Sequence, residues 1–196
     1  LLQRRAAEAG APVLYVNTVG AQDELVFDGD SMLVGASGAV LMRAPQYRED
    51  VYLVDVDLAA ACAAPPTAGN VAMIVERFDT RVPAPQAPAS RHPNEIAERI
   101  PDEAEVWGAL VTGLRDYVHK NAFASVVLGL SGGIDSAVVA AIAADAIGGA
   151  NVHGVSMPSS YSSEHSKSDA AELAERLGAK YQIVPIAPMV DEIGRA

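Results

Sequence analysis

The stretch that decides the fold reads Gly129-Leu130-Ser131-Gly132-Gly133-Ile134-Asp135-Ser136. It closes a continuous apolar run at residues 125–130 and precedes a helical pattern at residues 136–147. Open α/β sheets bind ligands where a strand ends and the next helix begins. The sequence therefore predicts an α/β fold with a binding loop at residues 129–136.

Alternating helices and strands continue on both sides of this loop. The chain after Pro101 predicts helices at 101–118, 136–147 and 163–177, and strands at 125–130, 152–157 and 180–186. Short connections between alternating elements favour right-handed crossovers and a parallel sheet. We expect strand 125–130 to be buried on both faces, and Val138, Val139 and Ile142 to face the core.

The first part of the chain has a different pattern of apolar residues. A helix is expected at residues 1–10, ended by Gly10. Short apolar runs at hairpin spacing then predict antiparallel strands. These strands are expected at residues 12–17, 31–35, 39–43 and 51–58.

A proline- and alanine-rich stretch separates this part from the alternating helices and strands that follow. It predicts a connector at residues 59–99, within which 71–75 could form one strand. The predicted organisation is thus one domain at residues 1–58 and a second, doubly wound parallel domain at residues 100–196.

Composition excludes several classes of function. The formal charge is −11 with only 14 Lys and Arg, so no nucleic acid is expected as a partner. No apolar run reaches the roughly 18 residues that span a bilayer, so no membrane is expected either. The single cysteine, Cys62, fits a reducing cytoplasm.

The residue types of the loop suit an anion. Gly132 and Gly133 permit positive φ and close backbone approach. The following helix points its unpaired first amides at the same place, and Ser131 and Ser136 add hydroxyl donors. Asp135 would repel phosphates unless a hard cation lies between them, which indicates Mg²⁺. The loop lacks the Gly-Lys pair of a Walker A loop and the Gly-x-Gly-x-x-Gly of dinucleotide folds.

Ser-Gly-Gly-x-Asp-Ser at 131–136 resembles the signature of the ATP pyrophosphatases, which cleave ATP to AMP and pyrophosphate. Residues 157–166, Met-Pro-Ser-Ser-Tyr-Ser-Ser-Glu-His-Ser, resemble the segment after the second strand of NAD synthetases. Residues 15–31 resemble the late part of the nitrilase-like glutaminase domain fused to bacterial NAD synthetases, with Ala21 where that family more often has glycine.

This resemblance implies a fold, a reaction and partners. It implies the end of a nitrilase-like α-β-β-α sandwich, followed by a sheet of the adenine nucleotide α-hydrolase type. The implied reaction is amidation of deamido-NAD to NAD through an adenylate, using ATP, Mg²⁺ and ammonia from L-glutamine. ATP would lie on residues 129–136 with the metal at Asp135, in a homo-oligomeric cytoplasmic enzyme.

No catalytic residue is assigned within the chain. The resemblance places the glutaminase nucleophile upstream of Leu1, and Cys62 lies among alanines without a cation to activate it. We therefore expect the chain alone neither to hydrolyse glutamine nor to make NAD. His165 could contact substrate, as the alternative to a solvated position in the first turn of its helix. The acidic pair Asp23 and Glu24 is expected to form a turn, and a position of Glu24 near an amidase site is the alternative.

Two other functions stay open from the sequence. One is another amidotransferase of the same superfamily, such as a GMP synthetase, against which residues 15–31 argue. The other is a non-catalytic adenine-nucleotide-binding module, a class that lacks the complete Ser-Gly-Gly-x-Asp-Ser loop.

Overall fold

The computed structural model describes residues 1–57, 95–159 and 164–193. Their contacts divide the chain into two compact units, each made of separate segments. Unit 1 comprises Leu1–Tyr15, Ser31–Ala44 and Asp50–Ala97, and unit 2 comprises Val16–Asp30, Pro45–Glu49 and Glu98–Ala196. The described residues leave out Cys62, the strand predicted at 71–75 and most of the connector predicted at 59–99. The predicted domain boundaries therefore stay predictions.

Unit 1 is a helix against a small antiparallel sheet. Helix α1 (Leu2–Ala9) ends at Gly10 in the left-handed conformation, as expected. Strands β1 (Val13–Tyr15), β4 (Met32–Val34) and β5 (Val40–Arg43) pair in the order β1-β4-β5. The antiparallel prediction is confirmed for these strands. The core of unit 1 is formed by Ala6, Leu33, Val34 and Met42, all at most 4% exposed.

Unit 2 opens with a hairpin that the sequence did not reveal. Strands β2 (Val19–Gln22) and β3 (Leu25–Asp28) pair around a two-residue turn at Asp23 and Glu24. The acidic pair was expected to form a turn, but the flanking Gly20-Ala21-Gln22 has low strand propensity. The hairpin packs on helix α2 (Asp102–Lys120).

A carboxylate of α2 fastens this hairpin. Asp116 accepts a hydrogen bond from the Ala21 amide at 2.7 Å, and Lys120 donates to the Ala21 carbonyl. A Cβ at Gly20 would come within 2.9 Å of Asp116 Oδ2, so glycine permits this approach. Burial disfavours ionisation, but the Ala21 amide and the Arg115 guanidinium outweigh it and lower the pKa of the Asp116 carboxyl.

Asp116→Ala should therefore loosen the hairpin. The change removes a charged acceptor and leaves the Ala21 amide unpaired, a local cost of about 1.5–3 kcal/mol. Because the folded-state pKa lies below the ordinary value of 3.8, the stabilisation is present above that pH and is lost as the pH falls through the lowered value. Hydrogen exchange of residues 16–30 in the full-length protein measures this. The variant should exchange faster at pH 7, and its difference from wild type should shrink by pH 3.

The matched control is Glu103→Ala, an exposed acid in the first turn of α2. It should leave exchange of residues 16–30 unchanged. Equal protection in wild type and Asp116→Ala would show that the carboxylate does not fasten the hairpin.

The rest of unit 2 is a three-stranded parallel sheet with helices between its strands. Strands β6 (Val126–Gly129), β7 (Val152–Ser156) and β8 (Lys180–Ile183) pair in the order β6-β7-β8. Helix α3 (Ile134–Ile147) and helix α4 (Glu164–Leu177) connect them, and α5 (Ala187–Ile193) follows β8. The predicted α/β class with a parallel sheet is confirmed.

The prediction that residues 125–130 are buried on both faces is wrong. Leu128 and Leu130 pack with the alanines of α3 and α4, whereas Val127 is 73% exposed. The strand order advances in one direction only, so two right-handed crossovers place α3 and α4 on the same face. Val127 therefore lies on the uncovered face of the described sheet.

The inward face of α3 also differs from the prediction. Val138 and Val139 are 41% and 52% exposed, and Ala140, Ala143 and Ala146 are buried instead. Ala140 lies in one buried cluster with Ala170 and Ala174 of α4, where small side chains allow close approach. Nearly every position of α3 is apolar, so periodicity did not select a face.

Several predicted boundaries are corrected. Residues 51–57 form no strand, β8 ends at Ile183 and not at residue 186, and α3 begins two residues before Ser136. Ser163, the first residue of the helix predicted at 163–177, lies outside the described residues. No helix within the described ranges combines the length and the apolar character needed to cross a bilayer.

Candidate nucleotide-binding loop

The loop lies where the sequence placed it, between the end of β6 and the start of α3. Leu130 anchors it: the side chain is 2% exposed, and its amide donates to the Val155 carbonyl at 2.9 Å. Residues 131, 133, 134 and 135 are exposed. The strand end is thus held in the core while the loop faces solvent.

The two glycines have different roles. Gly132 has φ 82°, a conformation that residues with a Cβ rarely adopt. Gly133 has φ −87° and ψ 158°, which any residue accepts. The expectation of positive φ therefore holds for Gly132 and is wrong for Gly133. A Cβ at Gly133 would meet Ser131 Oγ at 3.4 Å, an ordinary contact.

The start of α3 presents backbone donors. Gly133 is its N-terminal cap residue and supplies no side-chain cap. The first amides of a helix have no intrahelical acceptor, and here they belong to Ile134, Asp135 and Ser136. Together with the positive end of the helix dipole, they form a site that favours an anion.

Asp135 lies exposed in the first turn of α3. The described residues contain no group of three or more His, Cys, Asp or Glu side chains able to hold a metal by themselves. A single carboxylate beside an anion site still fits Mg²⁺, which often binds through one or two carboxylates together with substrate phosphates. The loop therefore suits a metal that arrives with a nucleotide.

The other residues considered from sequence do not join the loop. His165 is exposed near the start of α4, and Glu24 is exposed in the turn of the hairpin. Met157, at the end of β7, does approach it: its Cε would be 3.4 Å from a Cβ at Gly129. The sequence signal for this approach is the position of Met157 directly after a strand, because neighbouring parallel strands end at the same edge of the sheet.

Family models match both parts of the chain. The NAD synthase model matches residues 106–195, and the carbon-nitrogen hydrolase model matches residues 1–65. The first match includes the whole loop.

Curated relatives match almost the whole chain, across both of these segments. The glutamine-dependent NAD(+) synthetase of Synechocystis is 38% identical over 97% of this chain and 29% of its own length. The enzyme of the same name from Aquifex aeolicus is 42% identical over 94% of this chain and 33% of its own length. The chain thus spans about a third of these relatives.

A solved structure of glutamine-dependent NAD+ synthetase from Acinetobacter baumannii, in complex with ADP, has a TM-score of 0.76 and 35% identity. That match covers 99% of this chain and 32% of the other. A second enzyme of this name, from Cytophaga hutchinsonii, shares the fold at a TM-score of 0.71 and 16% identity. The chain belongs to the glutamine-dependent NAD(+) synthetase family, and it carries carbon-nitrogen hydrolase sequence followed by NAD synthase sequence.

Proposed function

We propose that this chain supplies the ATP-binding loop of an enzyme that amidates deamido-NAD to NAD with ammonia from glutamine. The observation that carries the proposal is the run of exposed backbone donors at the start of α3, next to Gly132 with its positive φ. Such a site suits the pyrophosphate part of ATP. The family of the chain supports the choice of deamido-NAD as acceptor.

The proposed reaction has two steps. A carboxylate oxygen of the nicotinate bonds to the α-phosphorus of ATP while the bond to the bridging oxygen of pyrophosphate breaks. Ammonia then attacks the carbonyl carbon of the adenylate, AMP leaves with the bonding electrons, and the nitrogen loses a proton to give the amide.

The loop would act on the first step by electrostatics. Negative charge grows on the departing pyrophosphate, and donors already fixed in place stabilise it without reorganising. The amides of Ile134 and Asp135 would serve this purpose, and Asp135 would hold Mg²⁺ against the phosphate oxygens, where the ion neutralises charge. No side chain of the described residues is assigned a proton transfer.

Residues 1–65 would belong to the part that releases ammonia from glutamine. The unit formed by the hairpin, α2 and the parallel sheet contains residues of both family matches. A homo-oligomeric enzyme in the cytoplasm completes the proposal, in keeping with the single cysteine of the chain.

Pyrophosphate exchange into ATP tests the proposal in the full-length protein. We expect labelled pyrophosphate to enter ATP only when deamido-NAD is present, because formation of the adenylate is reversible. Exchange driven by a different acceptor, such as xanthosine monophosphate, would assign the loop to another ligase. Absence of exchange with any acceptor would favour a binding module.

Asp135→Asn tests the metal. The change keeps the size and removes the charge, so turnover should fall at least about tenfold, or about 1.4 kcal/mol of transition-state stabilisation. The Mg²⁺ concentration needed for half-maximal rate should rise. Asp169→Asn, at an exposed position of α4, is the control and should match wild type. An unchanged Mg²⁺ requirement in Asp135→Asn would leave Asp135 without a metal role.

A further inference from the structure

Two serine hydroxyls close the candidate loop on itself. Ser136 Oγ donates to the Gly133 carbonyl at 3.0 Å and accepts from the Ser131 amide at 3.2 Å. The two hydroxyl oxygens lie 3.1 Å apart. The Gly133 amide donates to Ser131 Oγ at 3.3 Å. These four hydrogen bonds, which we call the serine ring, link the end of β6 to the first turn of α3.

Counting hydrogens assigns the direction of each bond. A serine hydroxyl has one hydrogen to donate and two lone pairs. Ser136 directs its hydrogen to the Gly133 carbonyl, so in the contact between the two hydroxyls Ser131 is the donor. Both hydroxyl hydrogens are then used within the loop. The one lone pair that remains, on Ser131 Oγ, cannot donate to a phosphate oxygen.

The backbone amides have the opposite status. The serine ring accepts from the amides of Ser131 and Gly133. The amides at the start of α3 are not part of it, and α3 has no side-chain cap that could occupy them. The loop therefore separates hydrogen-bond donors kept for a ligand from those that maintain its shape.

We infer that Ser131 and Ser136 are positioning residues, which hold the start of α3 in a shape that lets its backbone amides bind pyrophosphate. The expectation that their hydroxyls themselves donate to the anion is thereby revised. The inference rests on the proposed function for the identity of the ligand. The serine ring itself does not depend on that proposal and is open to a separate test.

A double-mutant cycle on pyrophosphate binding distinguishes the two roles. The full-length protein, Ser131→Ala, Ser136→Ala and the double variant are titrated with inorganic pyrophosphate and Mg²⁺ by calorimetry. If the serine ring acts as one unit, each single change should weaken binding about tenfold, and the second change should add no more than about twofold. Two hydroxyls that each contact phosphate would instead give losses that multiply, to about a hundredfold.

Hydrogen exchange of the backbone amides, measured without ligand, supplies a second readout. The amides of Ser131, Gly133 and Ala137, which have acceptors within the loop, should exchange faster in either alanine variant before any ligand is added, whereas loss of a ligand contact alone would not change them. Ser136→Thr keeps a hydroxyl and should restore both protection and affinity. The melting temperature should stay close to that of wild type, which separates a local effect from general destabilisation.

The outcomes are distinct. Non-additive losses together with faster exchange support the inference. Multiplying losses, or single variants that bind as wild type does, overturn it. If wild type binds no pyrophosphate, the proposed function fails, and the assignment of pyrophosphate as the ligand fails with it. Hydrogen exchange of the loop amides then still shows whether the serine ring holds the loop.

Discussion

Gly133→Val is expected to reduce pyrophosphate exchange in the full-length protein at least about a hundredfold, with glutamine hydrolysis largely preserved. The φ and ψ of Gly133 are open to valine, and a Cβ there meets only Ser131 Oγ at ordinary distance. The fold should therefore tolerate the change. The valine methyl groups, however, would lie beside the first amides of α3 and keep an anion from reaching them. A loss of this size is typical when a preorganised donor is removed.

The experiment needs a graded control. Gly133→Ala adds one methyl group at the same position and should reduce exchange by less than the valine variant does. Melting temperatures of both variants should match wild type, which would show that the loss arises at the ligand. Exchange at the wild-type rate in Gly133→Val would mean that pyrophosphate does not bind at the start of α3.

Gly149→Ala is expected to have the largest effect on stability. Gly149 follows α3 and lies against the end of α4. A Cβ there would be 2.9 Å from the Leu177 carbonyl carbon, and closer still to its oxygen. Backbone cannot rotate away as a side chain can, so the two helix ends would have to separate. We expect a cost of about 3 kcal/mol or more, at the upper end of overpacking.

Gly178→Ala is the matched control at the same pair of helix ends. Gly178 has φ 65°, but nothing lies within 4 Å of the position that a Cβ would take there. The change should cost only the conformational strain of a left-handed alanine, about 1–2 kcal/mol. Urea unfolding and hydrogen exchange of residues 126–183 in the full-length protein measure both variants. A Gly149→Ala protein as stable as the control would contradict the close approach of α3 and α4.

The sequence predicted the local structure of the loop well because the signals for it are local. A glycine pair after an apolar run, followed by a helical pattern, specifies strand, turn and helix within about ten residues. The conformation of Gly132 and the position of Asp135 in the first turn follow from that same stretch. The choice among related ligases came from the resemblance, not from the residue chemistry of the loop.

The predictions that were wrong depended on distant partners. Residues 51–57 alternate as a strand would, yet they make no ladder. Val138 and Val139 were predicted to face the core, yet the buried residues of α3 are alanines, one of which, Ala140, packs with alanines of α4. The hairpin at Val19–Asp28 was missed because its hold on α2 depends on Asp116, 95 positions away from Ala21 in the chain.

By itself, the sequence determined the α/β class, the antiparallel first part, the loop and the family, because each is encoded by neighbouring residues or by a contiguous motif. Tertiary structure alone decided which face of α3 is buried, that Val127 lies on an uncovered face of the described sheet, and that the hairpin packs on α2. Burial and packing depend on which residues lie close together in the folded chain. Contacts between residues that are distant in the sequence cannot be read from the local pattern.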